Sequence, residues 1–437
     1  MTTIMGRPVA RRSWRWVVVA SLSALIFLGL YPLFRYLWVD SKYRAALAAA
    51  DRRDFKTARD NLDVCIREWP NSAEVRFQAA RSARRAGDFE AAALLLRDAK
   101  RLGWVAEAVE LEEVLAIVQQ RQYQRFAVEL LNLVHRGHPD SVLILEALTP
   151  AALADLELDI AWQCLDPWLE RAPNDERPRL MKGELLERFR NRNGAIALYR
   201  EAVRLAPDNP EARLRCGWLA HEMRSTAEAA EHFDWLFRRQ PQDPEVRRGL
   251  AKVRQAQGQS DEARALLDGL LKEYPDDVQV LAARGEIELE ASNPKLAERW
   301  LRPAAAGANG DPRILYQWAL CLEQQNRPKE SAEALQRFHH AEEDHKKLAE
   351  LRQELVSHSR DPGIRLQIGQ IMMRNGLERE GRRWLETALR QDPWHVPTHQ
   401  ALADHYERNG NRELAENHRR IVREVEKQEA DKKKKTP

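Results

Sequence analysis

The chain has 437 residues, with 70 Lys+Arg against 67 Asp+Glu and a formal net charge of +3. At 44% hydrophobic residues it carries enough apolar surface for a core, which excludes wholesale disorder. Its near balance of charge lacks the electrostatic footprint of a dedicated nucleic-acid binder.

Residues 1–16 form a short basic tail with Arg7, Arg11, Arg12 and Arg15 and no acidic residue. Residues 17–34, VVVASLSALIFLGLYPLF, carry no charge. Eighteen helical residues at ~1.5 Å each cover ~27 Å, close to the hydrocarbon thickness of a bilayer. Trp14, Trp16, Tyr31, Tyr36 and Trp38 flank the run as an interfacial belt would. The run is longer than a secretory h-region and bulky residues follow it, so the expectation is an uncleaved signal anchor over 17–38. The basic flank predicts a cytoplasmic N-terminus and a translocated body, periplasmic if the cell is bacterial.

From residue 39 the text repeats. Pro139, Pro173, Pro207, Pro241 and Pro275 stand in a regular series with a period of 34, and each separates two apolar, helix-periodic runs. Between them recur small residues and one bulky one: Gly183, Ala195, Tyr199 and Ala202, then Gly217, Ala229, Phe233 and Leu236, then Gly285, Ala297, Leu301 and Ala304, then Gly369, Gly381, Leu385 and Ala388. Small residues at fixed places let two helices approach closely, and the bulky residue fills the gap between repeats. Gly217 and Ala229 are expected to face each other, with Asn193-Gly194 as the turn of the preceding hairpin. The third and fourth units are irregular, since Leu115 and Thr149 replace the first small residue and Pro150 interrupts a helix.

This small–small–large–small–proline pattern resembles the tetratricopeptide repeat family. The resemblance implies an all-α fold: a right-handed solenoid of about eleven helix-turn-helix units. The units are expected over 39–345 and 362–428. A helical insertion or hinge at 346–361 interrupts them, and a disordered basic tail follows at 429–437. The four cysteines, Cys65, Cys164, Cys216 and Cys321, are too scattered for a disulfide or zinc framework and read as buried thiols. The histidines near 339–358 and 395–418 read as surface or packing residues, and no metal site or cofactor is expected.

No nucleotide-binding loop, serine elbow or zinc-protease motif occurs, and the repeats leave no room for a catalytic domain, so no enzyme is expected. A solenoid of helix pairs turns its first helices toward the concave side. In this register that face holds Phe77, Arg81, Arg84, Trp218, Arg248, Lys252 and Tyr316, the aromatic-plus-Arg composition of binding hot spots. Chaperone-binding members of the family hold a peptide carboxylate with paired Asn and Lys. Here the inner positions are Glu184, Trp218, Lys252 and Glu286, so that clamp is missing. What remains is a membrane-anchored scaffold with protein partners in its groove. Anchored bacterial proteins of this kind look like assembly factors for envelope complexes. The alternative is an accessory subunit of a membrane enzyme such as a polysaccharide glycosyltransferase.

Overall fold

The computed structural model describes the backbone from Ala10 to Lys435 and side chains from Leu30 to Asp431. Among the described residues there are 22 helices and no strand. They are α1 (Ala10–Asp51), α2 (Phe55–Glu68), α3 (Ala73–Arg85), α4 (Phe89–Arg101), α5 (Ala106–Gln119), α6 (Ala127–His135), α7 (Ser141–Ala154), α8 (Leu158–Arg171), α9 (Arg177–Arg188), α10 (Arg192–Leu205) and α11 (Pro210–Glu222). There follow α12 (Thr226–Arg239), α13 (Pro244–Ala256), α14 (Ser260–Glu273), α15 (Val278–Glu290), α16 (Pro294–Ala306), α17 (Pro312–Gln324), α18 (Pro328–Ser357), α19 (Pro362–Arg374), α20 (Glu378–Gln391), α21 (Val396–Arg408) and α22 (Arg412–Lys435). The chain forms two compact units, dividing between Leu130 and Leu131.

Local chemistry sets the helix ends. The residue before four of the periodic prolines leaves the helical region: Ala172 (φ −129°, ψ 68°), Ala206 (−130°, 77°), Gln240 (−132°, 60°) and Tyr274 (−131°, 73°). Proline forces this on its predecessor by colliding with its helical conformation. Two or more residues later an Asx cap restarts the helix. Asn209, Asp243 and Asp277 each accept two backbone N–H bonds, at 2.8–3.2 Å. Pro210, Pro244 and Pro312 occupy the first helical turn, where a missing N–H costs nothing.

The turn inside each hairpin also repeats. One residue in each of these turns is left-handed: Arg53, Gly87, Arg121, Leu156, Arg190, Arg224, Gly258, Ser292, Asn326, Gly376 and Gly410. The expectation that Asn193-Gly194 forms a turn is corrected by this series. The turn lies at Arg190, and Asn191 already caps α10 by accepting from the Gly194 N–H at 2.9 Å.

The small and large slots pack the repeats. Ala195, Ala229, Ala263 and Ala297 are fully buried, as are Tyr199, Phe233 and Leu301. A Cβ on Gly183 would meet Tyr199 at 2.4 Å, and one on Gly285 would meet Leu301 at 2.5 Å. The expected Gly217–Ala229 pairing differs in detail. The atoms nearest a Cβ at Gly217 belong to Phe233 (3.1 Å) and His232 (3.2 Å), because the large slot leans over the glycine. Phe233 also covers Gly249 of the following repeat, so its ring is a key between two repeats. Backbones meet where both slots are glycine: a Cβ at Gly381 would lie 2.7 Å from the Gly369 carbonyl oxygen.

In the irregular fourth repeat, α7 continues through Pro150, and the Thr149 hydroxyl donates to the Leu145 carbonyl at 2.7 Å. The insertion at 346–361 lengthens the second helix of the ninth repeat, giving the 30-residue α18. The basic tail expected to be disordered instead continues α22 to Lys435. All four cysteines are buried free thiols.

Among the described residues no helix is long and apolar enough to cross a membrane. The side chains of residues 17–29, most of the expected anchor, lie outside the described residues, while the backbone of α1 runs through them without a break. At the described end of that run, Leu30, Tyr31, Leu33, Phe34, Tyr36, Leu37 and Trp38 are all exposed.

Candidate functional site

The seven residues expected on the concave face separate into two groups. Phe77, Arg81 and Arg84 lie on α3 in the first unit. Phe77 is 2% exposed, stacked on Trp104 with ring centroids 5.1 Å apart, and the Arg81 guanidinium lies 4.8 Å from the centre of its ring. Arg81 and Arg84 both donate to Glu112 of α5, at 2.6 and 2.5 Å, and Arg84 also donates to Gln119. Arg84 and Glu112 are 1% and 0% exposed. These charges bind the second repeat to the third, and burial closes Phe77 and Arg84 to any partner. In the sequence nothing marked Glu112 as their counter-ion, because it stands 28 residues beyond Arg84.

Trp218, Arg248, Lys252 and Tyr316 come together in the second unit. They line a cavity of about 1290 Å³ on the inner side of α11, α13, α15 and α17, with Phe338, Glu342 and His345 of α18 as a further wall. The repeat places them there, since positions 34 apart take the same place on successive first helices. Trp218, Lys252 and Glu286 form one such row, and Arg248, Ala282 and Tyr316 another.

Contacts run across the repeats. The Arg248 guanidinium sits 4.6 Å from the centre of the Trp218 ring and donates to Gln279 at 3.5 Å. Lys252 pairs with Glu286, which also accepts from Gln317 at 2.5 Å. Arg313 lies between Asp311 (3.3 Å) and Glu222 (3.7 Å). Tyr316, 49% exposed, packs on Phe338 with centroids 5.4 Å apart. Trp218 also meets Phe233 edge-on at 5.1 Å, so it joins the cavity wall to the core. Arg313, Gln317 and the α18 residues escaped the sequence reading. Arg313 was findable, 34 residues after Gln279, but the α18 wall depends on where a long helix lands.

Burial lowers the pKa of Arg248, and it lowers His221 and His345 as well, with Lys252 adding to the effect on His221. Away from the cavity, burial likewise depresses His232, His405 and His418. A histidine whose folded pKa lies below its unfolded value of ~6.5 contributes stability that is present above that pH. That stability is lost as pH falls from there through the folded pKa. Glu157 and Glu187 are raised by burial and act in the opposite sense, nearer the carboxylate range. The melting temperature is therefore expected to be lower at about pH 5.5 than at pH 7.5. Equal or higher melting at the acid pH would contradict the neutral-histidine assignment.

One cluster has metal-ligating residue types among the described residues: Cys216, Glu228 and His232. Both Glu228 oxygens accept from Arg200 at 2.7 Å, and the Arg213 guanidinium lies 3.5 Å from His232 Nδ1. Two neighbouring cations oppose a third. In the C-terminal repeats His399 Nε2 meets the Pro393 carbonyl and its Nδ1 meets His418 Nδ1 at 2.8 Å. Since a carbonyl only accepts, neutral His399 carries its proton on Nε2, and His418 donates across the pair.

Comparison with known proteins identifies the repeats. Residues 43–107, 180–244 and 220–287 match the tetratricopeptide repeat, and the chain carries tetratricopeptide repeats in an α-helical solenoid. A tetratricopeptide repeat protein from Parabacteroides merdae is 17% identical over 65% of this chain and 98% of its own, with a TM-score of 0.34. For pilF of Pseudomonas aeruginosa the values are 16%, 59%, 99% and 0.32. For MamA of Desulfovibrio magneticus RS-1 they are 15%, 38%, 93% and 0.35. No functional argument rests on likeness at this level. No curated protein matches the chain. Tetratricopeptide repeats typically mediate protein–protein interaction and are typically non-catalytic.

Proposed function

We propose that the protein is a non-enzymatic scaffold, held at a membrane by residues 17–38, that binds a protein partner on the inner face of its second unit and serves the assembly of a membrane or envelope complex. The observation that carries the binding reading is the row of Trp218, Arg248, Lys252 and Tyr316 around one cavity, because aromatic and Arg anchors in a concave site dominate interface energetics. Supporting the anchor are the exposed apolar side chains of Leu30, Tyr31, Leu33, Phe34, Leu37 and Trp38 at the end of the span, where Arg35 pairs with Glu68 and Tyr36 packs on Trp69. Extracytoplasmic placement of the repeats, periplasmic if the cell is bacterial, belongs to the same proposal and rests on the basic residues before the span.

The test uses the full chain in membranes. It should stay in the pellet through alkaline carbonate washing, and a photo-crosslinking residue at Tyr316 should capture a polypeptide. Arg248→Ala should reduce that capture by about tenfold or more if Arg248 is a hot spot. A protein washed free of the membrane would sink the anchor, and crosslinking that ignores Arg248 would sink the binding face.

A further inference from the structure

Solenoid repeats touch their neighbours in sequence and need no other contact. The second unit has one buried apolar contact that breaks this rule. The last turns of α18, built from the inserted stretch 346–361, reach α8 and α9 of the fourth and fifth repeats together with α19 and α20. Leu348, Leu351 and Leu355 of α18, with Ile364, Ile368 and Trp384, share one buried apolar cluster with Leu158, Leu165 and Leu185.

Polar contacts fix its register. Arg365, fully buried, pairs with Glu157 at 2.5 Å and donates to the Leu156 carbonyl at 3.3 Å. Gln391 donates to the other Glu157 oxygen at 3.2 Å. Arg383 donates to the Ala154 carbonyl and Arg390 to that of Asp155, at 3.1 Å. Arg383 and Arg390 thus meet successive carbonyls at the C-terminus of α7, the negative end of its dipole, and Arg365 meets the next carbonyl in the turn beyond it. Arg352 does the same for α9, donating to the Arg188 carbonyl at 3.4 Å.

We propose that α18 beyond residue 345, together with the repeat that follows, is a strap that closes the inner face of the second unit, and that a partner gains the Trp218–Tyr316 wall when this seam parts. The second half of the statement rests on the binding reading above. Three features make the seam separable. Its α18 residues, Leu348, Leu351, Arg352 and Leu355, come from an insertion that the neighbouring hairpins do not need. Its buried ion pair confers register more than net stability, because desolvation offsets the attraction. The same α18 supplies Phe338, Glu342 and His345 to the cavity wall, so movement of the strap and opening of the site are mechanically joined. Parting exposes Leu158, Leu165 and Leu185, which keeps the strap closed until an occupant compensates.

The seam is measurable without a partner. Spin labels on Glu170→Cys and Glu354→Cys, both exposed sites, should report a single narrow distance in the otherwise wild-type chain. The four native thiols are buried and should stay unlabelled. Leu351→Asp should add a longer-distance population while helicity stays within about a tenth of wild type. The gentler Arg383→Ala/Arg390→Ala pair, at exposed positions, should give a smaller population of the same kind. Capture at Tyr316 should rise several-fold with the fraction parted. An unchanged single distance in Leu351→Asp overturns the strap. So does a collapse of helicity in both variants, which would make the seam part of the folding core. A parted seam without any Tyr316 capture defeats the binding reading and leaves the strap standing.

Discussion

Glu112→Ala should destabilise the first unit by about 3–5 kcal/mol, the cost of leaving a buried charge without its partner. Arg84 is the charge in question: it is 1% exposed, and both its Glu112 and Gln119 contacts lie inside the α3–α5 interface. Arg81 keeps more access to water and suffers less. Because repeats unfold locally, urea or thermal unfolding should split, with the first unit melting ahead of the second. Replacing the pair together, Glu112→Leu with Arg84→Met, should recover most of the loss, since apolar side chains of similar volume do not require the missing charge. A loss under about 1 kcal/mol for Glu112→Ala would mean that water reaches Arg84.

Gly249→Val should be the most damaging single substitution among the glycine slots. A Cβ there would stand 1.9 Å from the Phe233 ring, closer than at any other glycine among the described residues, and Phe233 is fully buried. Overpacking of this kind costs ~1–3 kcal/mol and occasionally more. The damage should open the junction of the sixth and seventh repeats, visible as new protease cleavage between α12 and α13. Adding Phe233→Ala should restore part of the stability by vacating the space. A Gly249→Val protein that melts like wild type would show that the ring is not fixed as a key between repeats.

The two cases mark what was legible in the sequence. The period of 34, the small slots and the prolines specify local geometry, and helices α7 to α17 begin within a residue or so of where the repeat places them. The same periodicity assigned Trp218, Arg248, Lys252 and Tyr316 to one face, because a side chain's direction on a regular helix follows from its position. It could not tell Arg84 from Arg248. Both occupy first-helix faces, and what separates them is a carboxylate supplied by the next repeat in one case and an open cavity in the other. The turn at Arg190 was misplaced because Asn-Gly is a strong turn signal, yet here Asn191 caps the helix before that pair is reached. The seam was invisible for a further reason: a contact over some 200 residues depends on the accumulated rotation of every repeat between its ends.

That separation bears on how the protein folds. Almost every other contact is local, so each hairpin can form and dock on its neighbour early. The Arg365–Leu156 bond joins residues 209 apart. Closing a flexible loop of that length would cost on the order of 5 kcal/mol in chain entropy, by the logarithmic scaling of loop closure. A preassembled stack of repeats five to nine removes most of that cost by delivering the two ends to within reach as rigid bodies. Closure therefore comes last on the folding pathway. A ribosome must also release the chain past Gln391 before Glu157 receives its full set of partners, so the nascent second unit exists first as an open, partly apolar arc.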